Sequence, residues 1–167
     1  MNNCKDCKGT GVYVGLFENG PCLTCCRGQE RKVVEEKSTM LELPNGDKVW
    51  VLNPEELDIN NFDWSRATFH RENDKPAVEY SNGSKEWYKE NKLHRENDLP
   101  AFEDPNGIKR WYKEGKRHRE NDLPAFEDSS GTKCWYKEGK RHRDNCKPAI
   151  IWHNGKKEYW INGKKTK

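Results

Sequence analysis

The chain is poor in the side chains that ordinarily build a core. Of its 167 residues 32% belong to the AVILMFWYC group against 35% charged, and methionine occurs only twice. Such a balance leans toward disorder, because little apolar area is available to offset the entropy of ordering. No apolar run approaches the ~18 residues a membrane helix needs. The opening MNNCKDCKGTG lacks the apolar stretch of a secretory leader. The expectation is a cytoplasmic protein without a membrane span. A strong net charge is missing too: +3 over the whole chain is little for binding driven by phosphate neutralisation. No phosphate loop, HExxH or Ser-His-Asp order is found, which removes the commonest signatures of nucleotide, metalloprotease and acyl-transfer chemistry.

Aromatic side chains are not lacking. Seven tryptophans and six tyrosines, each burying roughly 150–250 Å², can supply a thin core that an aliphatic count misses. Most of them fall in a block of 24 residues that repeats four times without a gap, starting at His70, His94, His118 and His142. The copies open HRENDKPA, HRENDLPA, HRENDLPA and HRDNCKPA, and the second and third agree at 20 of 24 positions. Each passes a turn (NG, NG, SG, NG) and then an aromatic pair: Trp87-Tyr88, Trp111-Tyr112, Trp135-Tyr136, Tyr159-Trp160. A fixed period of this length signals a stacked array in which no unit hides its apolar face alone.

Within one copy, Pro100 to Glu103 is expected to be extended because proline disfavours helix in itself and in its predecessor. Pro105-Asn106-Gly107 turns, Ile108 to Tyr112 returns as one strand, and Glu114-Gly115-Lys116 turns again. Each unit is then a β-hairpin. Adjacent Trp and Tyr point to opposite faces, so one ring enters the core and the other stays at least partly exposed. The segment His-Arg-Glu-Asn-Asp offers an acid, a base and a cation. Present in every copy, it is more economically a turn whose Asn and Asp bond nearby backbone and whose Arg pairs with Glu or Asp. A ligand-contacting ridge and a catalytic set are the competing readings.

Upstream, PNGDKVW at 44–50 matches PNGIKRW at 105–111, and TMLELPNGDKVWVL reads as a hairpin around an NG turn. This is a decayed repeat. Asn53 can cap and Pro54 can open a helical turn in NPEELDINNFDW. Trp64 stands six residues before His70, as each repeat tyrosine stands before the next histidine, so the array is expected to resume there. Residues 28–38 read as a charged linker.

The cysteines are odd in number, seven, and cluster as CKDC at 4–7 and CLTC at 22–25. Without a leader this points to metal in a reducing compartment rather than to disulfides. Two such knuckles can bring Cys4, Cys7, Cys22 and Cys25 to ~2.3 Å from one Zn²⁺ in a closed structural site; Cys26 is a spare that could replace Cys25. A redox pair, an iron–sulfur site and a catalytic zinc are the alternatives. So short a segment would draw its folding free energy, on the order of 10 kcal/mol, from the metal.

Two resemblances follow from these residues. CKDCKGTG resembles the CxxCxGxG element of DnaJ-type zinc fingers at Cys4, Cys7, Gly9 and Gly11, whereas CLTCCRG has Arg27 where a glycine belongs and the chain has no His-Pro-Asp. It supports a zinc site and implies no chaperone activity. WYKEGKRH at 111–118 and 135–142 is similar to the Tyr-x-x-Gly-Lys-x-His element of MORN repeats. The REND and Pro-Ala that follow mark a variant of a kind found in short bacterial and bacteriophage proteins. That resemblance implies a mainly β fold of stacked antiparallel hairpins and contacts with proteins.

The organisation expected is a Cys4 zinc finger over 1–30, a linker with a degenerate hairpin and an acidic insertion over 31–69, and four MORN-like repeats over 70–167. The expected function is non-enzymatic: an adaptor engaging a protein partner, in the setting the resemblance suggests a phage accessory protein acting on a host protein. Tyr88, Tyr112, Tyr136, Arg95, Arg119 and Arg143 are the candidate contact residues, because Trp, Tyr and Arg dominate interface hot spots. The alternative is single-stranded nucleic acid or a nucleotide, favoured by aromatic platforms and the lysine-rich stretch 156–167.

Overall fold

A computed structural model describes residues 37–166; the zinc finger expected over 1–30, with Cys4, Cys7, Cys22 and Cys25, lies outside the described residues. Regular structure is almost entirely β. Ten strands form one antiparallel sheet, each beside the one before it. It begins with the hairpin Thr39–Glu42 and Lys48–Val51. The hairpins Val78–Glu79/Lys85–Glu86, Phe102–Glu103/Lys109–Arg110, Phe126–Glu127/Lys133–Cys134 and Ile150–Ile151/Lys157–Glu158 follow.

Each repeat also carries a second hairpin outside the sheet. These ribbons pair Tyr88–Lys89 with Lys92–Leu93, Tyr112–Lys113 with Lys116–Arg117, Tyr136–Lys137 with Lys140–Arg141, and Trp160–Ile161 with Lys164–Lys165. The single return strand expected from Ile108 to Tyr112 is thus broken, and it breaks at the tryptophan. Trp111 N–H donates to Ala125 C=O of the next repeat at 2.9 Å, while its own carbonyl accepts from His118 N–H at 3.1 Å. The chain changes partners at this residue, leaving the sheet for the ribbon.

Two turns per repeat require left-handed backbone. Asn97 and Asp98 have φ of 59° and 56°, and Glu114 and Gly115 have 49° and 76°. Two consecutive positive φ values suit a type I′ turn, where Asn, Asp and Gly are tolerated best. The crossing turn closes with Leu99 N–H on Glu96 C=O at 3.2 Å. In the fourth copy Cys146 takes the second turn position at φ 54°.

The sheet register sorts its faces. Glu42, Lys48, Glu79, Lys85, Glu103, Lys109, Glu127 and Lys133 stand opposite one another in turn across eight strands. The alternation of sign avoids like charges directly opposite one another, and a slip by one residue would bring this polar face into the core. On the other face the row runs Val49, Val78, Glu86, Phe102, Arg110, Phe126, Cys134, Ile150. Between neighbouring repeats the core is aromatic: Trp87, Trp111 and Trp135 are each 6% exposed, against alanines 77, 101, 125 and 149 at 0%.

The decayed repeat is present. Trp50 N–H donates to Ala77 C=O at 2.8 Å and its carbonyl accepts from His70 N–H at 3.1 Å, the same exchange that Trp111 makes. The array does not resume at Trp64, however. Val51 bridges to Phe69, the place where Tyr88 pairs Leu93 in the first full repeat, so residues 52–68 are an insertion at the ribbon position. Two 3₁₀ turns, Pro54–Glu56 and Ile59–Asn61, shape it. Asn53 does not cap the first turn with its side chain. Its amide instead closes the base of the loop, donating to Arg66 C=O and accepting Thr68 N–H, both at 2.9 Å. Leu57 and Phe62 of the loop pack against the buried cluster that includes Val49, Val51, Phe69 and Val78.

Candidate binding surfaces of the repeat array

The recurrent arginine works between repeats. Arg119 donates through Nε and Nη2 to the two carboxylate oxygens of Asp98 in the preceding repeat, at 2.9 and 2.8 Å, and through Nη1 to Pro124 C=O of its own. Its guanidinium lies 3.9 Å from the centroid of the Trp111 ring, whose indole N–H donates to the Asp98 carbonyl at 2.9 Å. Arg95 repeats the arrangement on Asp74 and Trp87, and Arg143 on Asp122 and Trp135. The expected pairing of Arg with Asp is present, but it runs between repeats rather than within one turn: the Asp98 carboxylate reaches an arginine 21 residues on, because stacking brings the second residue of one copy beside the fifth of the last.

These carboxylates titrate low. Hydrogen bonds from Arg143 and Lys147 hold Asp122 down to about 2, and the bonds from Arg95 and Arg119 lower Asp74 and Asp98. The arginine side chains are 13–14% exposed. Three of the six candidate contact residues, Arg95, Arg119 and Arg143, are therefore held inside inter-repeat staples.

The histidines are equally committed. Nδ1 of His94, His118 and His142 accepts the backbone N–H of Glu114, Glu138 and Asn162 at 3.2, 3.1 and 3.1 Å. That role leaves the ring proton on Nε2, which faces Glu96, Glu120 and Asp144 at 3.1, 3.2 and 2.8 Å; only at His142 is this a hydrogen bond. Lys89, Lys113 and Lys137 close on the same carboxylates. Among the described residues no group of three His, Cys, Asp or Glu side chains converges to hold a metal.

Between successive crossing segments lies a cleft, and the same cleft recurs along the array with volumes of about 330, 240 and 230 Å³. The third is lined by His118 to Leu123, Trp135 to Lys137 and His142 to Asn145. Leu99 and Leu123, each 39% exposed, sit at the rims of the second and third.

The three candidate tyrosines are half-buried but not equivalent. Tyr88 packs on Phe69 with ring centroids 5.0 Å apart and donates to Glu86 at 3.0 Å. Burial, with Glu86 beside it, pushes its hydroxyl well above the ordinary value. Tyr112 and Tyr136 instead face arginines. Arg117 donates to the Tyr112 hydroxyl at 3.2 Å and lies 4.7 Å from the Tyr136 centroid. Arg141 donates to the Tyr136 hydroxyl at 3.3 Å and lies 5.0 Å from the Trp160 centroid. The result is a column Tyr112, Arg117, Tyr136, Arg141, Trp160. Sequence reasoning missed these arginines, although their repeat position is one that changes, with Leu93 in the first full copy.

Compared with known families, curated proteins and solved structures, the chain matches none. Among the described residues no helix is long and apolar enough to cross a membrane.

Proposed function

We propose that this is a non-enzymatic binding protein that engages a protein partner through its β-repeat surface. The observation that carries the proposal is the fate of the His-Arg-Glu-Asn-Asp set. Its arginine and aspartate staple neighbouring repeats and its histidine anchors the ribbon tip. The copies at His94, His118 and His142 do this alike, while Arg71 of the first pairs with Glu79, so the segment builds a periodic surface rather than one convergent centre. That surface offers half-buried Tyr112 and Tyr136, exposed Leu99 and Leu123, and a row of clefts, the residue types and relief that interfaces use. Stacked antiparallel hairpins are what a MORN-like array would have, and a structural Zn²⁺ held by Cys4, Cys7, Cys22 and Cys25 would make the N-terminal segment a docking or capping unit.

A second reading has one specific observation in its favour. The column of arginines and aromatic rings from Tyr112 to Trp160 is of the kind that holds single-stranded nucleic acid. The alternating Glu/Lys ladder on the opposite sheet face argues against it, since it adds no net positive field.

Capture of partners from a cell lysate by the intact protein, beside protein lacking residues 1–30, tests the first reading. A salt-dependent gel shift with single-stranded DNA and RNA tests the second. Specific capture without a shift is the expected result; a shift lost with rising salt and no captured protein would reverse the order of the two.

A further inference from the structure

One side of the array changes character along its length, while the staples at Arg95, Arg119 and Arg143 stay constant. The last residue of the repeat is Phe69 at the N-terminal end, then Leu93, Arg117 and Arg141. In the sheet row facing the same side, the residue at the Val49 position is then Glu86, Arg110, Cys134 and Glu158 in successive repeats. A face that is apolar over Val49, Phe69 and Val78 thus becomes cationic over Arg110, Arg117 and Arg141, a stretch bounded by Glu86, which bonds Tyr80 and Tyr88, and by Glu158, which bonds Trp160 and Lys165.

At the apolar end the chain covers this face itself. Leu57 and Phe62 of the 52–68 loop pack on the Val49–Phe69–Val78 cluster, and Trp64 stacks on Tyr80 with centroids 6.0 Å apart. The covering loop is acidic, carrying Glu55, Glu56, Asp58 and Asp63 against Arg66. At the cationic end Phe102 and Phe126 stay half-buried, Phe102 beneath the Arg110 guanidinium at 4.3 Å. The Nε atoms of Arg110 and Arg117 are shielded from solvent yet bonded to nothing. Among the described residues no carboxylate lies within ion-pair distance of Arg110, Arg117 or Arg141, whereas Arg71, Arg95, Arg119 and Arg143 each have one. A guanidinium donor withdrawn from water without a partner is unfavourable, and an incoming carboxylate removes that penalty with a charge-assisted bond.

We infer that the face formed by Arg110, Arg117 and Arg141 takes an acidic peptide segment bearing an aromatic side chain, seated as the 52–68 loop is seated two repeats earlier. The carboxylates meet the guanidinium groups, and the ring lies among Phe102, Phe126 and Tyr136. This inference rests on the protein-partner reading and specifies the partner's chemistry.

The chain's own loop sequence supplies the probe: a fluorescein-labelled peptide ELDINNFDWS, matching Glu56 to Ser65, titrated with the full-length protein by fluorescence anisotropy. Saturable binding is expected. It should weaken by roughly tenfold or more with the amide version QLNINNFNWS, and likewise in the variants Arg117→Glu and Arg141→Glu, as the loss of a charge-assisted contact implies. Arg141 is exposed, so its reversal reports on binding even if Arg117→Glu disturbs folding. No saturation at millimolar peptide, equal affinity for the amide peptide, or unchanged affinity in the Arg141→Glu variant would overturn the inference. So would an oligo-deoxythymidine that binds these arginines and displaces the peptide. A lysate partner still captured by the doubly reversed protein would sink this inference and leave the protein-partner reading standing. Peptide binding with no lysate partner would support the face and count against the broader reading.

Discussion

Arg119 closes on Asp98 through two parallel hydrogen bonds while lying flat over Trp111, so a single side chain ties together two residues of the preceding repeat. The geometry recurs at Arg95 and Arg143. It explains how a chain so poor in aliphatics stacks: the tryptophan supplies buried area and its indole N–H satisfies the Asp98 turn carbonyl, while the guanidinium covers the ring face.

Trp111→Ala and Trp135→Ala should each cost about 3–5 kcal/mol, the range for emptying a buried aromatic site. Each also removes the platform under an arginine. Tyr112→Ala and Tyr136→Ala, at half-buried positions, should cost clearly less. Urea unfolding followed by tryptophan fluorescence or circular dichroism measures the difference, and equal losses within a pair would contradict the two-face arrangement.

Arg119→Lys retains the charge but loses both the paired hydrogen bonds and the stacking. A loss of about 1–2 kcal/mol is expected, chiefly from the cation–π contact with the buried Trp111 ring. Asp98→Asn should cost less, about 1 kcal/mol at most, because that carboxylate is 46% exposed. A double-mutant cycle in urea separates the two contributions; a lysine as stable as arginine would show the staple to be incidental.

The depressed carboxylates make stability depend on acid. Asp74, Asp98 and Asp122 titrate below their unfolded values, Asp122 at about 2, so below about pH 4 the unfolded state binds more protons than the folded state. Stability from these groups is whole above pH 4 and declines as pH falls toward 2. Urea midpoints measured between pH 6 and pH 2 should show that decline, and Asp122→Asn should reduce its slope. A midpoint that rises on acidification would contradict the assignment.

Purified protein should carry one Zn²⁺ per chain, held by Cys4, Cys7, Cys22 and Cys25, by elemental analysis. Cys4→Ser with Cys22→Ser should abolish the load. Chelation should leave the array's tryptophan fluorescence unchanged, because the described residues contribute no metal cluster. A full load in the double variant would refute the ligand set.

Much of this was legible in the sequence. The period, the hairpins, the degenerate copy around Trp50 and the burial of one ring of each aromatic pair all follow from local patterns, since turn chemistry and strand alternation act within a few residues; which ring is buried does not. What escaped depends on neighbouring copies. The partner of Asp98 lies 21 residues away and becomes adjacent only on stacking, and the strand breaks at Trp111 because Ala125 of the next repeat takes its N–H. Trp64 misled because its spacing to His70 imitates the repeat, whereas the loop holding it is an insertion closed by Asn53. The cationic face was hidden because the repeat pattern marks positions that recur, and Arg110, Arg117 and Arg141 sit at two that vary.

Cross-linking mass spectrometry of the captured complex tests the account most directly. Cross-links should join the partner to lysines bordering the column, such as Lys116, Lys140 and Lys164, and the partner should be released chemically unaltered. Cross-links confined to residues 1–30, or a captured molecule converted into a product by the pure protein, would contradict a non-enzymatic protein that binds through its repeat surface.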